Sequence, residues 1–142
     1  RLDLDSGLLE YVNAGHNLPY RLPGEGAPSA LAGGGGLPFG VFEAQAYPTE
    51  SLLLGPGDGL FVFTDGVVEA TDTAGEAFGE ARLESGLLGL ARAPSARIVE
   101  QTLAGLDAFV GQAPAADDIT LLALRYSRSS RGVNSFRNEY EK

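Results

Sequence analysis

Two short stretches set carboxylates against apolar runs in a way that could do chemistry. In Phe61-Val62-Phe63-Thr64-Asp65-Gly66, a run rich in strand formers ends in an aspartate. A carboxylate at the rim of a rigid sheet is costly to half-bury unless a cation or hydrogen bonds compensate it. Gly66 lets the chain turn sharply and keeps the approach open. Two readings fit these residue types: Asp65 caps a following short helix, or it ligates a metal. In Ala116-Asp117-Asp118-Ile119-Thr120, two adjacent acids precede another apolar run. Strand alternation sends one acid to each face, so one of the pair is expected to point into a given site. A solvated loop is the competing reading. The two signals mean more together. If the strand that Asp65 ends and the strand that Asp117 begins are antiparallel neighbours, both carboxylates lie at one sheet edge. All-oxygen ligation of that kind suits Mg²⁺ or Mn²⁺.

Other chemistry finds less support. The single histidine, His16, sits in the turn Asn13-Ala14-Gly15-His16-Asn17. It could do acid–base work, face a substrate, or simply bond to turn backbone. Ser6, Ser29 and Ser51 have no base nearby, so a Ser–His–Asp triad gains nothing. The acidic stretch 72–80 lacks the spacing of a calcium loop. With no cysteine and one histidine, disulfides and a thiolate nucleophile are excluded, and zinc finds no ligand set.

These residues need elements to hold them. Residues 8–13 and 18–22 read as strands joined by the 13–17 turn, which predicts a hairpin. Pro19 and Pro23 place its second strand near an edge or keep it short. Residues 23–36, ending in Gly33 to Gly36, read as a flexible loop rather than an anion cradle. Residues 44–47 and 51–54 read as strand pieces, with a dense turn at 55–59. Residues 60–64 read as a strand buried on both faces, running through Asp65-Gly66 into a short helix at 67–70. A helix over 79–91 carries Leu83, Leu87 and Leu90 on one side. Ser95 is placed as the N-cap of a helix over 96–110, with a stripe of Val99, Leu103, Leu106 and Val110 and a stop at Gly111. Residues 119–126 form a last strand. Strands with helices inserted late in the order indicate an α+β fold with helices packed on a sheet.

The 142 residues suit one domain, and 44% of them are hydrophobic, a lean but sufficient core. The net charge of −9 argues against a nucleic-acid partner. No apolar run approaches a membrane span and no signal-peptide pattern opens the chain, so a cytoplasmic location is expected. The chain has no methionine and starts at Arg1, which marks it as an expected fragment or processed product. Residues 127–142 read as a polar tail, native or appended.

NAGHNLPY (13–20), LPFGV (37–41), GDGLFVFTDGVVEA (57–70), FGEARL (78–83) and DDITLLALRY (117–126) follow one another in that order. Over residues 1–126 this resembles the C-terminal portion of metal-dependent protein phosphatases of the 2C class. The bacterial branch typified by the stage II sporulation protein E phosphatase and the sigma-B regulator phosphatases is the most similar. The resemblance implies a β-sandwich of two antiparallel sheets flanked by helices, with two Mn²⁺ or Mg²⁺ ions at one end. It implies hydrolysis of phosphoserine or phosphothreonine, on an anti-anti-sigma type partner within this branch. It matches Asp65 and Asp117 to metal ligands, with Gly66 beside the first and Asp118 as second choice to the latter. Asn13, Gly15 and His16 fall in a turn beside the site, Asn13 and Gly15 on the substrate side. His16 stands where many relatives outside this branch carry an acid that helps hold a third metal, which argues against a third metal held in that way. The family's upstream Asp-Gly pair, with its nearby Gly-His-Gly, does not occur in residues 1–15. On that basis the 142-residue chain alone is expected to be inactive or weak and to expose core surface, with self-association one outcome. The alternative is a non-catalytic phosphatase-like signalling module.

Overall fold

The computed structural model describes residues 1–31, 33, 36–41, 45–114 and 117–127. Of the expected tail only Ser127 falls among them, and Ala44 and two of the four glycines of the 33–36 run fall outside. The order of elements is β1 (Leu8–Tyr11), β2 (Tyr20–Leu22), β3 (Ser29–Ala30), β4 (Glu50–Leu53), β5 (Gly59–Phe63), α1 (Gly66–Glu69), α2 (Gly79–Leu90), α3 (Ser95–Val110) and β6 (Leu121–Arg125).

The apolar run in β5 lies inside a four-stranded antiparallel sheet of order β3-β2-β5-β6, while β1 and β4 form a separate antiparallel pair. Pleating sends alternate residues of each strand to opposite faces. Tyr20, Leu22, Phe61 and Phe63 enter a core with Val67, Phe78, Leu83, Leu87, Ile98 and Leu106 of the helical layer. Leu60 and Tyr126 turn the other way, to a second core with Leu9 and Leu54 from the two-stranded pair and Leu31. The four-stranded sheet is thus the middle layer, helices on one face and the small sheet on the other. This is the expected α+β sandwich of two antiparallel sheets.

The expected hairpin does not form. β1 pairs with β4, and β2 pairs with β3 and β5. The 13–17 turn is closed by Asn13, whose side-chain amide donates to the His16 carbonyl and whose Oδ1 accepts the His16 N–H, both at 2.8 Å. The turn therefore carries the chain from one sheet to the other instead of folding it back. β2 lies between β3 and β5 rather than at an edge, but Pro19 and Pro23 do keep it to three residues. Residues 45–47 form no strand.

The helices follow their apolar spacing with two shifts. Leu83 and Leu87 are buried and Leu90 packs beside them, as the spacing predicts. In α3 the buried positions are Ile98, Thr102 and Leu106, whereas Leu103 is 37% exposed and Val99 only partly covered. The two stripes share Leu106. The polar type of Thr102 hid a face that its methyl group can fill. Ser95 lies inside α3, with Pro94 at the cap position and no side-chain cap bond. Gly111 ends the helix at φ 59°, its N–H donating to the Asp107 carbonyl at 3.0 Å. Within the acidic 72–80 stretch, Asp72 Oδ1 accepts the Ala74 and Glu76 N–H groups at 2.9 Å. That carboxylate is used to close a turn.

Opposite the acidic end of the sheet, the 55–59 turn is held by Asp58. Its carboxylate accepts from Arg21 Nη2 at 2.7 Å, Gly24 N–H at 2.8 Å and Gly55 N–H at 3.0 Å. Burial pushes the Asp58 pKa up, but the hydrogen bonds from Gly24, Arg21 and Gly55 and the Arg21 charge outweigh it and hold the carboxyl below its ordinary value. A folded-state pKa below the unfolded one contributes stability at neutral pH that is lost as pH falls through the folded pKa. Asp58→Asn is expected to cost about 1.5–3 kcal/mol at pH 7, the range for hydrogen bonds to a charged group. Urea unfolding of the parent and the variant should show that difference at pH 7, and show it shrinking well below pH 4, where Asp58 is protonated in both states.

Candidate functional site

The register of β5 against β6 places the acids. Phe63 pairs with Leu121 at one end and Gly59 with Arg125 at the other. Asp65 lies two residues beyond Phe63, and Asp117 and Asp118 lie four and three residues before Leu121, so all three fall at the same pole. Thr64 N–H extends the ladder by one bond to the Thr120 carbonyl, at 3.1 Å. The last strand begins at Leu121, not residue 119. The acidic pair is therefore in a loop, and strand alternation does not decide which of its members faces the site.

Asp65 occupies the cap position of α1, but its backbone is already helical, at φ −54° and ψ −31°. Among the described residues its Oδ1 accepts the adjacent Gly66 N–H, at 3.0 Å, and not an N–H one or two residues further on, as an effective cap would. Asp117 Oδ1 likewise accepts the adjacent Asp118 N–H, at 2.7 Å. Both residues are exposed, and neither enters an ion pair among the described residues. Each carboxylate thus spends one oxygen on its neighbour's backbone N–H.

Gly66 brings the two segments together. A Cβ on Gly66 would lie 2.6 Å from the Asp118 carbonyl oxygen, 3.2 Å from its carbon and 3.4 Å from Asp117 Cβ. The absence of a side chain there lets the Asp117–Asp118 backbone sit directly against the start of α1. Beside this contact a hollow of about 140 Å³ is lined by Gly66, Thr71, Asp107, Asp117 and Ile119, among others. Asp107 escaped the sequence reading because it lies on the solvent side of α3, outside any motif.

The Asn13–Asn17 turn reaches the same pole through the small sheet. Tyr11 pairs with Glu50, at the end of β4 remote from the 55–59 turn. Asn13 is buried and His16 is exposed. His16 Nδ1 lies 2.9 Å from the Asn17 carbonyl, so Nδ1 is the donor, and neutral His16 presents Nε2 as an acceptor. Gly15, at φ +82°, packs against Pro38, where a Cβ would lie 2.8 Å from the ring. The 37–41 segment is thereby seated on the turn. A groove of about 240 Å³ runs from Asn13 and His16 past Val12 and Val62 to Leu60.

Asp65 and Asp117 supply hard oxygen donors on two segments in contact, the donor type that Mg²⁺ and Mn²⁺ take. They fit such an ion as part of a ligand set. Among the described residues, no group of three or more His, Cys, Asp or Glu is arranged to hold a metal. The remaining ligands would be waters or groups from outside these residues.

The family model of stage II sporulation protein E (SpoIIE) matches residues 1–127. The chain belongs to the SpoIIE family. It is 32% identical over 125 residues to protein IcfG of Synechocystis sp., covering 87% of this chain and 19% of that protein. The SiaA-PP2C domain of Pseudomonas aeruginosa matches with a TM-score of 0.72 and 28% identity, over 85% of this chain and 47% of that one. The RsbU and RsbW domains of Rv1364c from Mycobacterium tuberculosis match with a TM-score of 0.69 and 27% identity, over 89% and 34%. This SpoIIE-family chain therefore has a PP2C phosphatase-domain fold and spans less than half of each of these three relatives.

Gly66→Ala tests the contact between the two acidic segments. It is expected to destabilise the chain by about 1–3 kcal/mol, since a backbone carbonyl must move to admit the methyl group. Amide chemical-shift changes should concentrate at residues 117–120. An unchanged melting temperature with unchanged shifts in that segment would contradict the contact.

Proposed function

We propose that this SpoIIE-family segment is the C-terminal part of a metal-dependent phosphoprotein phosphatase acting on phosphoserine or phosphothreonine. The observation that carries this reading is the packing, through Gly66, of the two segments that bear Asp65 and Asp117, in a chain of the SpoIIE family. Asp65 and Asp117 would hold Mn²⁺ or Mg²⁺, with Asp118 the second choice to Asp117. When bound, such ions would supply charge neutralisation for the phosphate and a lowered pKa for water.

The chain's own residues shape the surroundings. Asn13 closes the turn that presents His16 and Gly15 to the same pole, and in the proposal Asn13 and Gly15 lie on the substrate side. His16 Nε2 is free to accept a proton or a hydrogen bond from substrate, with its ring fixed through Nδ1. The likeness to sigma-regulator phosphatases supports a phosphorylated anti-anti-sigma protein as substrate. No helix among the described residues is long and apolar enough to cross a membrane, and a cytoplasmic location is part of the proposal. Leu8, Leu53 and Leu122 are exposed on the sheets, which favours self-association of the 142-residue chain.

One observation favours a second reading, a non-catalytic phosphatase-like signalling module. The described residues alone do not assemble a three-ligand metal cluster. Hydrolysis of p-nitrophenyl phosphate by a chain extended upstream to the family domain's length separates the two. Turnover is expected to require Mn²⁺ or Mg²⁺ and to fall by about two orders of magnitude or more in Asp65→Asn and in Asp117→Asn, beyond the 10–100-fold typical of losing a group that merely supports a ligand. The 142-residue chain should show little turnover. Turnover that survives chelation, or both substitutions, would contradict the phosphatase mechanism. A folded extended chain without turnover on the small substrate or on phosphoproteins would favour the signalling module.

A further inference from the structure

The geometry points to Thr64 as the positioning residue that fixes Asp117 relative to Asp65, an inference that rests on the proposed cation site. Thr64 Oγ1 donates to the Asp118 carbonyl at 2.9 Å and accepts the Thr120 N–H at 2.9 Å. With its backbone bond to the Thr120 carbonyl, Thr64 grips the acidic loop on both sides of Ile119. Only a hydroxyl can fill both side-chain roles, because it carries one donor and two lone pairs. Its β-branch also restricts χ1, which suits a residue that must hold one orientation at a strand end.

The consequence falls on Asp117 more than on Asp118. The Asp118 carbonyl oxygen to which the Thr64 hydroxyl donates is the atom nearest the bare face of Gly66, and Asp117 Cβ lies close to that face as well. Hydroxyl and glycine therefore hold the loop from two sides, and Asp65 sits between them in sequence. Without the hydroxyl, Thr64 keeps its backbone bond to the Thr120 carbonyl but loses its hold on the Asp118 carbonyl and the Thr120 N–H. Thr64 touches neither metal nor substrate in this account and acts through Asp117.

The test compares Thr64→Val, which keeps the shape and removes the hydroxyl, with Thr64→Ser, which keeps the hydroxyl, in the upstream-extended chain. Mn²⁺ affinity by calorimetry is expected to fall about 10-fold or more in the valine variant, in the range for losing a group that orients a ligand, and to stay within about 3-fold of the parent in the serine variant. Hydrogen exchange should quicken in the valine variant at residues 118–120 while the amides of β6 keep their protection. Equal Mn²⁺ affinity in the parent and the valine variant would overturn the proposal, as would equal losses in both variants. Unchanged exchange at residues 118–120 would overturn it too, whatever the metal does. Asp65→Asn and Asp117→Asn run alongside. If they bind Mn²⁺ as the parent does, the cation site itself fails, and this outcome is distinct from a failure of Thr64 alone.

Discussion

The antiparallel register of β5 and β6 is the constraint on which the rest of this molecule depends. Five residue pairs, from Gly59–Arg125 to Phe63–Leu121, decide which side chains meet the helices and which meet the small sheet. A slip of one residue would exchange the two sets. The far pole pins that register. Gly57 N–H donates to the Tyr126 carbonyl at 2.8 Å, and Tyr126 N–H donates to the Asp58 carbonyl at 2.7 Å. Arg125 reaches the carbonyls of Ala91, Ala93, Leu22 and Gly57, joining the end of β6 to the helical layer, β2 and the 55–59 turn.

The division of labour between the poles follows. One end is closed by a buried carboxylate and by an arginine whose donors are taken up by backbone carbonyls. The other leaves Asp65, Asp117, Asp118 and His16 exposed on short loops at the ends of rigid elements. Sites built this way take their precision from the strands and their chemistry from the loops. The proposed phosphatase function would use that arrangement: the strand pair would set the spacing, Gly66 the approach, and the carboxylates of Asp65 and Asp117 would supply oxygen donors to the cation.

Much of this was legible in the sequence because the signals were local. The apolar run ending at Asp65 fixed β5 and the turn after it, and leucines at helical spacing fixed the buried side of α2. Pairing between strands was not legible, since turn chemistry at 13–17 predicts a reversal without saying which sheet the next strand joins. The buried face of α3 differs from the apolar stripe because it runs through Thr102, a polar type that apolar spacing passes over. At the site, the residue types of Asp65, Asp117 and Gly66 were visible. Gly66 reads as a sharp turn that keeps the approach open, while its larger role is the room it leaves for the Asp118 carbonyl, a contact 52 residues away in sequence. Thr64 stands inside the motif that ends at Asp65, but its type there reads as a strand former, and only the folded register shows what its hydroxyl bonds to.

The most direct test of the central claim is anomalous scattering from Mn²⁺-soaked crystals of a chain extended to the family domain's length. The account predicts a manganese peak within direct coordination distance of both Asp65 and Asp117, with β5 and β6 in the register described here. Manganese bound elsewhere, or at one carboxylate with the other turned away, would contradict it.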